Sequence, residues 1–273
     1  MEEYEKNIVS HIEAIYENFT PLEKTIADFF IHNEEKLDLS SKNVSKRLFV
    51  SEASLSRFAK KCGYKGYREF IFCYEQGGTV VSRKPASDQI KMVLNDYQEL
   101  LNKSYSLMDE NQIGRIVDII SEKKRIYVYG KGSSGLAALE MKLRFMRIGV
   151  TIEAITDVDI MKMNSVLLDG ECAAIGISVS GRTEAVIHSL QSAKKCGAAV
   201  ILMTSHIEKK FQNFCDEIML FAVKANLEKG KAISPQFPIL VMVDIIYSRM
   251  LRMDDFRRET LHEYTLEVLE RDS

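Results

Sequence analysis

CAAIGISVSGRTEAVIHSLQSAKKCG, residues 172–197, holds a strand, a loop and a helix in one stretch. Its first residues are almost wholly apolar, which is how a strand reads when both faces of its sheet are covered. Ser178, Ser180, Gly181 and Thr183 then crowd together before the chain turns helical as RTEAVIHSLQSAKKCG. The same grammar recurs on either side. RIYVYG (125–130), VTIEAIT (150–156), AAVILMTS (198–205) and EIMLFAV (217–223) read as further strands, and LAALEMKLRFMRIG (136–149) as a helix ending on glycine. Apolar strands alternating with helices predict a doubly wound parallel α/β sheet. One or two helices over roughly 88–121 lead into it, and helices return after Ser234.

In such a sheet ligands sit beyond the carboxyl ends of the strands, where the next helices begin. The first turn of a helix has unpaired amides and a partial positive charge, so it receives anions. Small residues let the backbone approach an oxyanion, and hydroxyls add donors. Ser178, Ser180, Gly181 and Thr183 meet that description, and no carboxylate stands in the loop itself. Glu184, one residue further, is expected to point away. Charge-assisted hydrogen bonds contribute about 1.5–3 kcal/mol each, so three or four give roughly the 8 kcal/mol of a micromolar ligand. Helix capping alone would explain one hydroxyl, not this cluster.

A second loop lies upstream. GKGSSG, with Gly130, Gly132 and Gly135, matches the G-x-G-x-x-G dinucleotide pattern, and Glu153 or Asp157 loosely supplies the acid that pattern asks for. One small ligand bracketed by two turns fits better, with a sugar beside Gly132, Ser133 and Ser134 and its phosphate at 178–183.

The N-terminal part is built differently. Residues 1–76 hold no strand-like run; Ile8, Ile12, Ile15 and Phe19, then Ile26, Phe29 and Phe30, recur at helical spacing. Thr20 before Pro21 marks a helix start. NVSKRLFVSEASLSRFAKKCGYKGYREF (43–70) has the layout of a helix-turn-helix: a helix ending near Leu48, a turn at Val50 and Ser51, and a second helix from about Glu52 capped by Ser51. Residues 42–68 carry eight Lys or Arg against the single acid Glu52. Lysines displayed only for solubility would be interleaved with acids, so this excess is read as a footprint for a polyanion. Glu52, Ala53, Ser56 and Arg57 are expected near base edges. Ser51, Ser54, Lys60, Lys61, Lys65 and Tyr67 are expected on the DNA backbone. GGTVVSRKPASDQ (77–89) reads as a linker, giving a division into 1–76, 77–89 and 90–273.

Bulk properties exclude several classes. The 273 residues exceed a usual single domain, 46% are hydrophobic and 28% charged, and the net charge is −2. Five scattered cysteines with no C-x-x-C, and five histidines not paired with them, predict reduced thiols and no metal site. MEEYEKNIVS is too acidic for a signal peptide, and FPILVMVDIIYSRML (237–251) is too short to span a bilayer and is interrupted by Asp244. A cytoplasmic chain with no membrane partner and no cofactor is expected.

VYGKGSS followed by ISVSGRT resembles the sugar isomerase (SIS) domain, over roughly residues 110–250. The resemblance implies that Ser178, Ser180, Gly181 and Thr183 bind the phosphate of a phosphosugar and that Ser133 and Ser134 contact its sugar. The whole chain resembles the RpiR family of bacterial transcription regulators. VSEASLSRFAKKCGYKGYREF (50–70) follows that family's V-S-x-x-[ST]-x-x-R-F-x-x-x-x-G-[FY]-x-G-[FY]-x-x-F pattern. A glycine often precedes its V-S, where this chain has Phe49. A bulky residue at positive φ is strained, so either a slightly altered turn or a Phe49 packed on the domain is expected. The implied function is a DNA-binding regulator of carbohydrate metabolism with a phosphosugar effector. A homodimer or homotetramer is implied, with PILVMVDIIYSRML (238–251) and a C-terminal helix at about 256–270 as candidate pairing surfaces.

The rival reading is a sugar-phosphate isomerase with an accessory helical domain. Its acid–base candidates are Glu184 and His188, at i and i+4 of one helix, with Glu140 on the preceding one. No nucleophile–base pair or metal cluster supports them, and an isomerase has no need of the basic strip at 42–68. Binding without turnover is therefore expected. A third reading, in which the α/β domain is only a dimerisation scaffold, leaves the S-x-S-G-x-T loop without a purpose.

Overall fold

The computed structural model describes residues 8–33, 37–75, 87–224, 227, 233–253 and 255–271. The chain divides into two compact units, residues 1–90 and 91–273. Of the expected linker, 77–86 lies outside the described residues, while Asp88 and Gln89 already belong to a helix.

The first unit is helical: α1 (Ile8–Ala14), a short 3-10 turn (Tyr16–Asn18), α2 (Pro21–His32), α3 (Ser41–Leu48), α4 (Glu52–Lys61) and α5 (Tyr67–Glu75). The Thr-Pro start of α2 is a capping box. Thr20 accepts from the Glu23 amide, and the Glu23 carboxylate accepts from the Thr20 amide, which satisfies two of the helix's orphan donors. The apolar residues at helical spacing close one core around Ile26, Phe30, Leu55, Phe58 and Phe70. Phe30 and Phe70 meet edge to face at 4.8 Å, the arrangement aromatic quadrupoles favour.

The second unit begins with α6 (Asp88–Ser106) and α7 (Glu110–Glu122). It alternates β1 (Arg125–Gly130), α8 (Ser133–Arg147), β2 (Ile152–Ile155), α9 (Val158–Ser165), β3 (Cys172–Ser178), α10 (Glu184–Lys195), β4 (Ala199–Thr204) and β5 (Glu217–Leu220), and ends with α11 (Phe237–Met253) and α12 (Asp255–Arg271). The five strands are parallel in the order β2-β1-β3-β4-β5. Every residue of β3 is buried, because helices cover both of its faces. One face packs on α7, α8 and α11 through Ile116, Ile175, Met141 and Ile246. The other packs on α9 and α10 through Tyr129, Met161, Val186 and Leu202.

One expectation changes here. The apolar residues of α11, Ile239, Met242, Val243, Ile246 and Met250, are buried in this core. They cover the sheet of their own chain and are not left as a pairing surface. Exposed apolar side chains lie instead on α12, the other helix expected to pair, at Phe256, Tyr264, Leu266 and Val268, on α8 at Leu136, Leu139, Leu143 and Met146, and at Ile160, Met163 and Leu167 on and just after α9. No helix of the described residues is long and apolar enough to cross a membrane.

Candidate functional site

In the strand order β2-β1-β3-β4-β5 the chain winds one way from β1 and the other way from β3. The crevice between those two strands is the topological switch point, where an open α/β sheet receives ligands. The two small-residue loops of the sequence leave the sheet there. β1 and β3 are hydrogen-bonded neighbours with Gly130 opposite Ile177, so the loops start side by side.

The loop after β3 is tied down by its own hydroxyls. Ser178 is fully buried; its Oγ donates to Thr183 Oγ1 at 3.0 Å and accepts the Thr183 amide at 3.4 Å. Ser180 Oγ accepts the Arg182 amide at 3.2 Å. Gly181 turns the chain at φ +67, and a Cβ on it would lie 3.2 Å from both the Phe211 ring and Thr204 Oγ1. The left-handed backbone therefore favours glycine, and a Cβ would also crowd the Phe211 and Thr204 side chains. Thr183 is the N-cap of α10 but makes no side-chain capping bond, because its hydroxyl is turned to Ser178.

The loop after β1 uses its glycines for close approach. A Cβ on Gly130 would lie 2.5 Å from the Ser134 carbonyl oxygen, and one on Gly135 would lie 3.0 Å from the Gly130 oxygen. α8 thus starts pressed onto the end of β1. Gly132, at φ +58, is its N-cap and has open space around it. Ser133 is half-buried and Ser134 buried. Asp157 is occupied as the N-cap of α9, accepting the Asp159 and Ile160 amides, and Glu153 pairs with Lys142 at 2.7 Å. Both acids that a dinucleotide ribose would need are engaged elsewhere.

A cleft of about 500 Å³ opens beside these loops, lined by Lys131, Val158, Lys162, Thr183, Glu184, Ala185 and His188. Glu184 lines it beside Thr183, at the first turn of α10, whereas Ser178, Ser180 and Gly181 are not among its lining residues. His188 lies one turn further on the same wall, whereas Glu140 is exposed on α8 and is not part of the lining. Lys162 and Val158 were not legible as site residues. They arrive from α9, and only the placement of β2 beside β1 brings α9 to this cleft. Among the described residues no three His, Cys, Asp or Glu side chains gather as a metal site.

In the helical unit, α3 and α4 are joined by the turn at residues 49–51. Ser51 caps α4 by accepting the Ser54 amide at 3.1 Å, and Glu52 accepts the Ser41 hydroxyl. Arg57, Lys60, Lys65 and Ala53 are exposed, and Ser56 is half-buried. Two expected backbone contacts turn inward instead. Tyr67 is buried, with its hydroxyl donating to the Leu39 carbonyl at 3.0 Å. Burial pushes that hydroxyl's pKa up. Ser54 is buried between Ser51 Oγ and Arg57. Lys61 reaches back to Glu23 at 2.7 Å. Burial works to raise the pKa of the Glu23 carboxyl, but the bonds from Lys61 and Thr20 outweigh it and hold that pKa below its ordinary value.

Phe49 departs from both expectations for the turn. It adopts the left-handed conformation, φ 53 and ψ 40, and its side chain is 96% exposed. It is the one non-glycine residue with positive φ among the described residues, and such a conformation costs about 1–2 kcal/mol.

Comparison with known proteins identifies both units. Residues 6–75 match the helix-turn-helix domain of the rpiR family and residues 119–241 match the SIS domain. A helix-turn-helix transcriptional regulator of Haemophilus influenzae is 27% identical over 96% of each chain. One from Clostridium perfringens is 24% identical over 85% of this chain and 88% of its own. Among solved structures, NanR of Vibrio vulnificus complexed with ManNAc-6P superposes with a TM-score of 0.64 at 21% identity, covering 98% of this chain and 99% of NanR. The sugar isomerase domain of an RpiR transcription factor from Sphaerobacter thermophilus gives 0.58 at 18% identity, covering 66% of this chain and 97% of its own.

Proposed function

The chain belongs to the rpiR family of helix-turn-helix transcriptional regulators with a SIS domain, and we propose that it reports a phosphosugar captured at the β1/β3 crevice to DNA held by α3 and α4. The observation that carries this reading is the pairing of two glycine-hydroxyl loops at the switch point, with Lys131 and Lys162 in the adjoining cleft. Ser178, Ser180, Gly181 and Thr183 take the phosphate, with the α10 N-terminus behind it. Gly132, Ser133 and Ser134 face the sugar. On the DNA side, exposed Arg57, Lys60 and Lys65 supply phosphate or base contacts, with Ser51, Glu52 and Ser56 beside them.

A two-fold assembly reading a palindromic operator fits this arrangement. Exposed apolar side chains on α12, α8 and α9 support self-association through those helices, with the apolar residues of α11 buried in its own core. Coupling of about 1–3 kcal/mol between ligand and DNA would change operator affinity some 5–150-fold. The test is a gel-shift titration of the full-length protein across a panel of sugar phosphates. ManNAc-6P comes first, because NanR was solved with it. A phosphosugar that shifts operator affinity, while its unphosphorylated parent does not, supports the reading. No response across the panel ends it.

Glu184 and His188 on the cleft wall are the observation that keeps an isomerase reading alive. Turnover of a bound phosphosugar, lost in Glu184→Gln, would favour it. Binding without turnover favours the sensor.

A further inference from the structure

Among the described residues, four helices end by the same closure, in which an amide donates to the carbonyl five residues back. Tyr64 donates to Ala59 after α4, Val150 to Phe145 after α8, and Ala198 to Ala193 after α10, at 3.0–3.1 Å. Before each donor stands a glycine in the left-handed region: Gly63 at φ 88, Gly149 at φ 82 and Gly197 at φ 91. This closure selects glycine because a Cβ is strained there. After α3 the closure is the same, Val50 donating to Ser45 at 3.0 Å, but the left-handed residue is Phe49. Its ring returns nothing to the fold, being 96% exposed and outside the apolar core of its unit. The chain thus accepts backbone strain in order to hold a phenyl ring in solvent, two residues before the cap of α4.

We propose that Phe49 is a DNA-contacting, specificity-determining residue whose ring packs against a thymine 5-methyl group in the major groove beside the N-terminus of α4. The proposal rests on the reading of α3 and α4 as the DNA-binding pair. In that geometry the first residues of the second helix reach base edges. The thymine methyl is the apolar group exposed in the major groove, and phenylalanine is among the side chains that contact it. Eight cations against one acid over residues 42–68 favour a duplex over a protein as the partner of this surface.

The test uses the full-length protein and a duplex enriched by the wild type from a random-sequence pool. Phe49→Gly relieves the strain, so its helical unit should melt several degrees higher, yet it should bind the enriched duplex about 5–150-fold more weakly, the range of one good base contact. Affinity for random duplex should be unchanged. Replacing thymines of the enriched duplex by uracil, one at a time, should weaken wild-type binding at one position and leave Phe49→Gly indifferent there. Phe49→Leu, which keeps an apolar side chain, should fall between the two. The proposal is overturned if Phe49→Gly binds the enriched duplex as tightly as wild type. It is equally overturned if enriched and random duplexes are lost by the same factor, or if no uracil discriminates the two proteins. If the wild type enriches nothing, the DNA-binding reading itself has failed, a separate outcome.

Discussion

Ser178 and Thr183 join the last residue of β3 to the N-cap of α10 through two hydrogen bonds, hydroxyl to hydroxyl and amide to hydroxyl. Ser178 is fully buried, so deleting its oxygen leaves the Thr183 amide without its side-chain acceptor, at about 1–3 kcal/mol. Ser178→Ala is expected to lower the melting temperature of the free protein and to abolish stabilisation by a phosphosugar. Thr183→Ser keeps both. Scanning fluorimetry with and without ligand checks this; an unchanged ligand shift in Ser178→Ala would remove the hydroxyl from the binding role.

Gly130 and Gly132 of the first loop are expected to differ in their tolerance of alanine. At Gly130 the new Cβ would lie 2.5 Å from a backbone oxygen, and at Gly132 it would meet nothing. Gly130→Ala should unfold the loop or lower stability by several kcal/mol, on the scale of strong overpacking. Gly132→Ala meets no atom but takes a backbone conformation, φ 58 and ψ −128, that is nearly glycine's alone, and should lose about 1–3 kcal/mol. Urea denaturation of both variants gives the ordering, and equal losses would contradict the close approach of α8 to β1.

Glu23 should make the helical unit sensitive to acid. Its folded pKa lies below the ordinary carboxyl value of 4.5, because the hydrogen bonds from Lys61 and Thr20 prevail over burial. The folded state therefore favours the ionised form. Its contribution is complete above the unfolded pKa and is lost as pH falls through the lower folded one. Glu23→Gln should lose up to about 1 kcal/mol at pH 7, the scale of a partly exposed ion pair, and its gap from wild type should close as pH falls between about pH 5 and pH 3. Melting temperature against pH for both proteins measures it, and parallel curves would show that Glu23 is not the titrating group.

The α8 stripe predicts the assembly state. Leu143 and Met146 are exposed in the single chain, so charging them costs the isolated fold little. Leu143→Lys with Met146→Lys should convert the assembly to monomers at an unchanged monomer melting temperature. Sedimentation velocity reads the mass, and an unaltered oligomer would place the interface elsewhere.

The sheet and its two loops were legible because their signal is local. Apolar runs, glycines and clustered hydroxyls stand next to one another in the chain, and parallel pairing simply brings two such loops together. What escaped depends on distant partners. Tyr67 reads as an exposed contact until the Leu39 carbonyl, 28 residues away, claims its hydroxyl. Lys61 reads as a free cation until Glu23, 38 residues away, pairs with it. Lys162 enters the cleft only through strand order. α11 reads as a pairing face because it is apolar along most of its length, and the structure buries Ile239, Met242, Val243, Ile246 and Met250 in the core of their own chain. Phe49 stands out in the sequence as a bulky residue where glycine is common, but its combination of left-handed backbone and full exposure is set by the turn geometry.

Because β1 and β3 are bonded neighbours in register, the two loops spring from anchors fixed at about 4.8 Å, the spacing of any sheet. On the proposed reading, the grip on a ligand's charged end is as stiff as the backbone ladder beneath it and offers evolution little to adjust. Discrimination among molecules that share that end then falls to the helical walls, at Val158, Lys162 and His188, whose side chains can be exchanged without touching a single ladder bond. An engineer wishing this chain to answer to a different metabolite would leave the serines alone and rebuild the walls.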